Sequence, residues 1–289
     1  MKYLILGAKG QLGLEWTKYL QSHQIPYLAT DRDELDITEQ QAVEDCLNQF
    51  KPDVVLNCVA YTNVDGAETE TDANERLNHT APGLVAKLCE AHRITFVHYS
   101  TDYVFSGKIT DKQVYPDGYP VDAPVSPVNQ YGAAKLRGEQ AVQAAGENHL
   151  IIRIAWLCSA YGKNFLKTML RLGQEKPKLS IVNDQFGSPT FTFDVVDATA
   201  AILASGQRGV FHLTSEGMYT WFDFANAIFK ASDITVKTEG VDSSAYPMVA
   251  KRPAFSKLDN SRFKAVAGGK TYQMEQGIRR VLDELNKQS

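Results

Sequence analysis

Short apolar runs alternate with stretches of 3.6-residue periodicity along the first 155 residues. Lys2-Tyr3-Leu4-Ile5-Leu6 is apolar and rich in strand formers, which predicts a buried parallel strand. Residues 11–21 then place Leu12, Trp16, Tyr19 and Leu20 on one helical face. Residues 27–30, 54–58, 95–99 and 150–154 repeat the strand pattern, and residues 39–49, 72–92 and 130–145 repeat the helical one. This βαβα rhythm predicts an α/β fold with a doubly wound parallel (Rossmann) sheet.

Two segments depart from the rhythm. Residues 109–127 hold Pro116, Pro120, Pro124 and Pro127 with little periodicity, and a long loop of that kind is expected to be functional or mobile. Beyond Ile154 the pattern is mixed. Residues 179–182 and 210–213 read as buried strands around a helix over 194–205, and both are expected to extend the same sheet. The expected division is therefore a sheet domain over 1–155, extended by 179–213. Residues 156–178 and 214–289 then form a smaller lobe over the strand ends, where ligands of such sheets bind.

Composition narrows the class without changing this picture. The chain has 289 residues, 44% hydrophobic and 22% charged, with a net charge of −4. No basic run or interleaving of aromatic and basic residues is present, so neither nucleic acid nor a membrane surface is an expected partner. No apolar leader or 18-residue apolar run occurs, and Cys46, Cys58, Cys89 and Cys158 lack CxxC spacing. A cytoplasmic protein with reduced thiols is the expectation.

The candidate chemistry begins where the first strand ends. Gly7-Ala8-Lys9-Gly10-Gln11-Leu12-Gly13 joins strand to helix, the context of a dinucleotide fingerprint, although the spacing is GxxGxxG. Gly7 is expected to permit the turn, Gly10 to let a pyrophosphate approach, and Gly13 to let helix and strand pack closely. The helix N-terminus offers N–H groups to phosphate. The second strand ends in Asp31, placed to accept from an adenosine ribose hydroxyl. Arg32 beside it could pair with a 2′-phosphate, so NADH and NADPH both stay open.

Tyr131 and Lys135 lie one helical turn apart and share a face. A lysine ammonium near a phenol is expected to pull the phenol toward phenolate. A hydroxyl of Ser100-Thr101 at the fourth strand's end can share a substrate oxygen with the tyrosine. Together these predict hydride transfer with a tyrosine proton donor.

The chain resembles the extended short-chain dehydrogenases/reductases over nearly its whole length. More closely, it resembles the branch that reduces the C4 ketone of a 4-keto-6-deoxyhexose carried on dTDP. The marks are Leu6–Gly13, the run from Asn57 through Ala60-Tyr61-Thr62 to Asp65, His98-Tyr99-Ser100-Thr101-Asp102-Tyr103-Val104-Phe105, Asn183-Asp184-Gln185-Phe186-Gly187-Ser188-Pro189-Thr190, and Arg252-Pro253. The resemblance implies catalytic roles for Thr101, Tyr131 and Lys135, with Asn78 helping to position the lysine. It implies coenzyme contacts at Gly10, Gln11, Leu12, Asp31, Asp36, Ile37, Ala60, Tyr61, Thr62 and Tyr99, besides Tyr131 and Lys135. Thr101, Asp102 and Trp156 would touch the sugar nucleotide, and Arg252 its phosphates.

One departure bears on assembly. Some members carry a glutamate in the helix after Gly-Ser-Pro-Thr, which joins Glu15-like carboxylates at a magnesium-linked dimer interface. Here Glu15 is present, but Phe193 stands at the later position and cannot ligate a hard cation. No metal is expected, and a monomer or weak homodimer is. Related dehydratases carry Asp-Glu after the threonine; Thr101-Asp102-Tyr103 lacks the glutamate, which argues for reduction. An epimerase that retains NAD, or a non-catalytic reductase-like subunit, are the rival readings. The intact Thr101/Tyr131/Lys135 set argues against the second.

Overall fold

The computed structural model describes residues 1–288. Its centre is a six-stranded sheet of β1 (Tyr3–Leu6), β2 (Tyr27–Thr30), β3 (Val54–Asn57), β4 (Thr95–Thr101), β5 (His149–Ile154) and β7 (Gly209–Leu213). The strands run parallel in the order β7-β5-β4-β3-β1-β2, with Tyr3 beside both Tyr27 and Val54 and Val97 beside Leu150. The order reverses between β1 and β3, and the crevice at their carboxyl ends is where such sheets take ligands.

Both sheet faces are covered, so interior strands are buried residue after residue. One face meets α1 (Gln11–Ser22) and α6 (Thr192–Ala204) through Trp16, Val195 and Ile202. The other meets α2 (Gln40–Phe50), α3 (Ala81–Ala91) and α4 (Gln130–Ala145) through Val43, Val85 and Val142. The doubly wound fold is as the alternating pattern predicts. The turn after β1 also follows the glycine pattern: Gly7 has φ +79°, and a Cβ on Gly13 would lie 2.2 Å from the Gly7 carbonyl oxygen. Gly13 thus lets α1 rest on the turn itself rather than on the strand.

Three expectations are corrected. Residues 178–182 do not extend the central sheet. β6 (Lys178–Val182) pairs in parallel with β8 (Lys237–Val241) in a separate two-stranded ribbon. The position beside β5 belongs to β7, and β6 alternates exposed Lys178 and Ser180 with buried Leu179 and Ile181, a one-sided pattern unsuited to a sheet covered on both faces. The proline-rich segment 109–127 is not a free loop. Tyr119 is buried, stacks on Phe105 at 4.3 Å and donates to Asp111 Oδ2 at 2.6 Å, while its amide and carbonyl bond the backbone at Lys257 and Asp259. The helix expected over 72–92 is interrupted. Thr71–Glu75 passes through a π-helical turn, Arg76–Thr80, before α3. Pro82 has no N–H to offer the Asn78 carbonyl four residues earlier, so the ladder shifts there.

The remaining elements, α5 (Phe165–Glu175), β6, α7 (Trp221–Ala231), β8 and α8 (Met274–Gln288), pack around their own apolar core of Leu166, Phe191, Phe224 and Ile278. All four cysteines are free. No described helix is long and apolar enough to cross a membrane.

α4 is tied to β5 by a buried ion pair: Arg153 donates to Glu139 through Nη2 at 2.7 Å and Nε at 2.9 Å, and to the Val121 carbonyl at 3.1 Å. Removing one partner strands the other charge in the interior. Glu139→Ala is expected to lower stability by about 3–5 kcal/mol; denaturant unfolding measures this, and a loss below about 1 kcal/mol would place the pair in the solvated class.

Candidate active site

The crevice beside β1, β2 and β3 holds a cavity of about 360 Å³ bounded by Gly7, Gly10, Asp31, Arg32, Ile37 and Ala60. No side chain caps the first turn of α1, and Gly10 leaves the approach to it open. Asp31 accepts from the amides of Lys9 at 2.9 Å and Arg32 at 2.8 Å, which anchors its carboxylate at the cavity's edge. Asp36 also lines it, but its Oδ1 is engaged by the Thr38 amide and hydroxyl, which hold the carboxyl below its usual range. Lys9, Arg32 and Arg76 bring three cations to the rim. Arg76 was not singled out from sequence; it reaches the cavity because the π turn carries it there. These groups fit a dinucleotide: an open helix N-terminus for phosphates, a carboxylate for a ribose, and cations for a 2′-phosphate.

Several expected coenzyme positions have occupied side chains. Leu12 and Tyr99 belong to the core, and the Tyr99 hydroxyl accepts from Trp16 Nε1 at 2.8 Å and pairs with Thr199. Any contact there would be through backbone. Gln11 Oε1 accepts from Ser159 Oγ at 3.0 Å and Asn164 Nδ2 at 2.9 Å, so its side chain clasps the second lobe. Tyr61 is half-buried and Thr62 exposed. Asn78 grips the Tyr61 backbone from both sides, donating to its carbonyl at 2.8 Å and accepting from its amide at 3.2 Å. Its own carbonyl lies 2.0 Å from where a Gly138 side chain would begin, which sets the π turn directly on α4. Asn78 therefore shapes the wall around the lysine helix and does not itself bond Lys135.

The residues expected to react converge where β4 ends. Thr101 Oγ1 donates to Asp102 Oδ1 at 2.9 Å. Tyr131, half-buried at the start of α4, lies beside Thr101 and Asp102 and meets Tyr103 edge-on at 5.7 Å. Burial, then the Asp102 carboxylate, raise the Tyr131 phenol above its usual range. The sequence expectation was the reverse, a phenol pulled down by Lys135. The reason is direction: Lys135 Nζ points inward, to the Tyr99 carbonyl at 2.5 Å and His98 Nε2 at 3.3 Å. Burial lowers Lys135 to about 8, against the opposing pull of Glu139. Burial also lifts Asp102 to about 7, and its Oδ2 is buried with no partner.

A larger groove of about 970 Å³ opens beside Tyr103 between the two lobes. Arg252 stands on its wall, donating to Asp65 Oδ2 at 2.7 Å while its Nη1 is buried and unpartnered. A guanidinium on the wall of a groove fits a phosphate oxygen. Lys176 and Lys178 line the same groove. Trp156 adopts φ +47°, a left-handed conformation that costs a bulky residue about 1–3 kcal/mol. Its ring stacks on Trp221 at 3.7 Å, and Trp221 is the one on the groove wall. The Trp221 position follows from tertiary packing and carried no local sequence signal.

At the remaining predicted position, Phe193 is buried, stacked on Phe191 at 5.7 Å with the Arg280 guanidinium 4.0 Å from its ring centre. Glu15 accepts from Thr192 at 3.0 Å. Among the described residues, no group of three or more His, Cys, Asp or Glu is placed to hold a metal.

With this geometry in hand, comparison with known proteins is informative. Residues 1–287 match the family described as RmlD substrate binding domain. A dTDP-4-dehydrorhamnose reductase of Burkholderia thailandensis is 41% identical over 282 residues, covering 91% of this chain and 92% of its own. The crystal structure of a dTDP-4-dehydrorhamnose reductase from Clostridium acetobutylicum superposes with TM-score 0.93 at 36% identity, covering 99% of this chain and 100% of its own. One from Bacillus anthracis, in complex with NADP, gives TM-score 0.92 at 33% identity, covering 98% and 99%.

The rim cations lead to a coenzyme prediction. Arg32→Ala and Arg76→Ala should each weaken NADP⁺ about tenfold more than NAD⁺, the loss of one charge-assisted hydrogen bond. Calorimetric titration with both dinucleotides measures this. Equal effects would show that the guanidinium groups point away from the ribose.

Proposed function

Because the chain belongs to the RmlD substrate binding domain family, we propose that it reduces the C4 ketone of dTDP-4-dehydro-L-rhamnose to dTDP-L-rhamnose with NADPH or NADH, for rhamnose-containing cell-surface polysaccharide. The observation that carries this reading is the convergence of Thr101, Tyr131 and buried Asp102 beside a groove walled by Arg252. The dinucleotide-binding half is residues 1–155 with β7, and the substrate half is residues 156–178 with most of 214–289. We place the enzyme in the cytoplasm.

The bound dinucleotide supplies the hydride that adds to C4. Tyr131 keeps its proton through the neutral range, because burial and Asp102 both disfavour phenolate, so it is a loaded donor. As the ketone oxygen gains charge, the Tyr131 O–H transfers its proton to it. Thr101 Oγ1, held by Asp102 Oδ1, lies beside the same oxygen; its one proton turns from Asp102 to that oxygen when the Asp102 carboxyl, lifted by burial to about 7, is itself protonated. Arg252, steadied by Asp65, holds the diphosphate, and that remote binding orients the sugar. Asp31 and the α1 N-terminus hold the adenosine half of the coenzyme. The protein closes the charge balance with its own groups, and no Lewis acid is required.

The direct test is oxidation of NADPH or NADH in the presence of dTDP-4-dehydro-L-rhamnose, with identification of the sugar product. Product with the 4-epimeric configuration, or no ketone-dependent oxidation, would remove the assignment. Tyr131→Phe is expected to lower turnover by about a hundredfold or more while leaving dinucleotide affinity near wild type, since a positioned general acid contributes about 10²–10⁴. Near-normal turnover in that variant would take Tyr131 out of the mechanism.

We further propose a monomer or weak homodimer whose assembly is independent of metal. Phe193, engaged with Phe191 and Arg280, offers no oxygen ligand beside Glu15. Activity should survive chelator, and light scattering should give one mass with and without magnesium. A mass that doubles with the metal and reverts on chelation would show that other carboxylates complete a site.

A further inference from the structure

A chain of hydrogen bonds begins at the half-buried Val59 amide in the turn after β3 and runs through buried Asn57 and His98 to Lys135. The Val59 amide meets Asn57 Oδ1 at 3.1 Å, and Asn57 Nδ2 meets His98 Nδ1 at 3.1 Å. His98 Nε2 meets Lys135 Nζ at 3.3 Å, and Nζ donates to the Tyr99 carbonyl at 2.5 Å. Asn57, His98 and Lys135 are all fully enclosed.

The direction of this chain is fixed from one end. A backbone N–H can only donate, so the Asn57 amide must turn its oxygen to Val59 and its NH₂ to His98. His98 Nδ1 is then an acceptor and carries no proton. Burial keeps the ring neutral, and a charge on Lys135 when it is an ammonium adds to the same direction, so the ring's one proton sits on Nε2 in either form of the lysine. That N–H faces Lys135 Nζ. An ammonium has no lone pair to accept it, whereas a neutral amine does.

We propose that His98, locked as the Nε2–H tautomer by Val59 and Asn57, is a positioning residue that holds Lys135 Nζ on the Tyr99 carbonyl and favours its amine form. The proposal rests on the reading, implied by the family resemblance, of Lys135 as a contact of the coenzyme. It adds a cause beyond burial for the lowered proton affinity of Lys135.

The other groups around Lys135 act differently. On α4 itself Tyr131 points toward Thr101, and Glu139 favours the ammonium but is held by Arg153 of β5. Beyond β4, Tyr103 lines the groove and Asp102 is engaged by the Thr101 hydroxyl. From the π turn, Asn78 presents an uncharged amide, and His79 is paired with Glu75, which also binds Arg137. Cys58, next to Asn57, is held as a thiol by burial. Of these groups, His98 is the one with a donor aimed at Nζ.

The tautomer can be read directly, without catalysis. Long-range proton–nitrogen correlation spectra of the protein labelled with ¹⁵N-histidine should show one neutral ring protonated at Nε2 that does not titrate between about pH 5 and 8. Asn57→Asp, which presents only acceptors, should switch that ring to Nδ1–H. A wild-type ring protonated at Nδ1, or an imidazolium, overturns the proposal whatever the activity assay gives.

The consequence for Lys135 is read from the alkaline limb of kcat/KM, expected near the lysine's own value of about 8. His98→Asn keeps an acceptor for Asn57 but falls short of Lys135. Its limb should move up by about one pH unit. His98→Gln, whose amide nitrogen reaches the Nε2 position, should restore it. A folded His98→Asn protein with reduced kcat and an unmoved limb would make His98 a packing residue and overturn the proposal. If that variant does not fold, the wild-type and Asn57→Asp spectra decide.

Discussion

Lys135 sits inside the protein with its Nζ against the Tyr99 carbonyl, and an amine at that depth is tolerable only where its N–H groups are matched. That bond joins α4 to the backbone of β4 just before the strand delivers Thr101. The helix that carries Tyr131 and the strand end that carries Thr101 are therefore one rigid unit. Arg153 and Glu139 repeat the tie a turn further along, between α4 and β5. The π turn seals the other flank, where the Asn78 carbonyl comes so close to Gly138 that no side chain fits. A proton donor has to be placed to within a fraction of an ångström, and these contacts leave α4 little room to slide.

Electrostatics then divides the work between two pockets. The cavity beside β1 and β2 is ringed by Lys9, Arg32 and Arg76 around the Asp31 carboxylate, a mixture suited to phosphates and a ribose at once. The groove beside Tyr103 has Arg252, whose charge is only half answered by Asp65. Between them lie groups that burial makes reluctant to carry charge: Tyr131, Asp102, His98 and Lys135. Charge is thus kept at the two ends, where anionic ligands neutralise it. The centre is largely buried and weakly charged, a setting in which a developing alkoxide would interact strongly with the few donors near it.

The same economy explains the side chains that turned away from the ligand. Gln11 stands at the phosphate end of α1, yet its amide is used to hold the loop at Ser159 and Asn164. Tyr99 gives its hydroxyl to Trp16 and Thr199 and keeps only its carbonyl for the site. Trp156 accepts an unfavourable backbone conformation in order to back Trp221. Each ties the second lobe or the core to the site.

The local sequence determined the parts of this protein whose physics is local. Short apolar runs bounded by turn residues marked the strands of the central sheet, and Gly7 and Gly13 marked the turn on which a helix rests. The spacing of Tyr131 and Lys135 put both on one face of α4. The resemblance of whole motifs carried the chemistry and, with it, the relevance of Arg252 and Asp102. Tertiary structure alone decided what each group faces. It gave the place beside β5 to residues 209–213, because residues 178–182 have one polar face and the central sheet has none to spare. It brought Arg76 and Trp221, distant in sequence, to the two pocket walls. It turned Lys135 inward to His98 and the Tyr99 carbonyl, so the phenol of Tyr131 answers to burial and Asp102 rather than to the lysine four residues away. Sequence spacing fixes which side chains share a face; burial and the partners met there fix which way they point and which proton they hold.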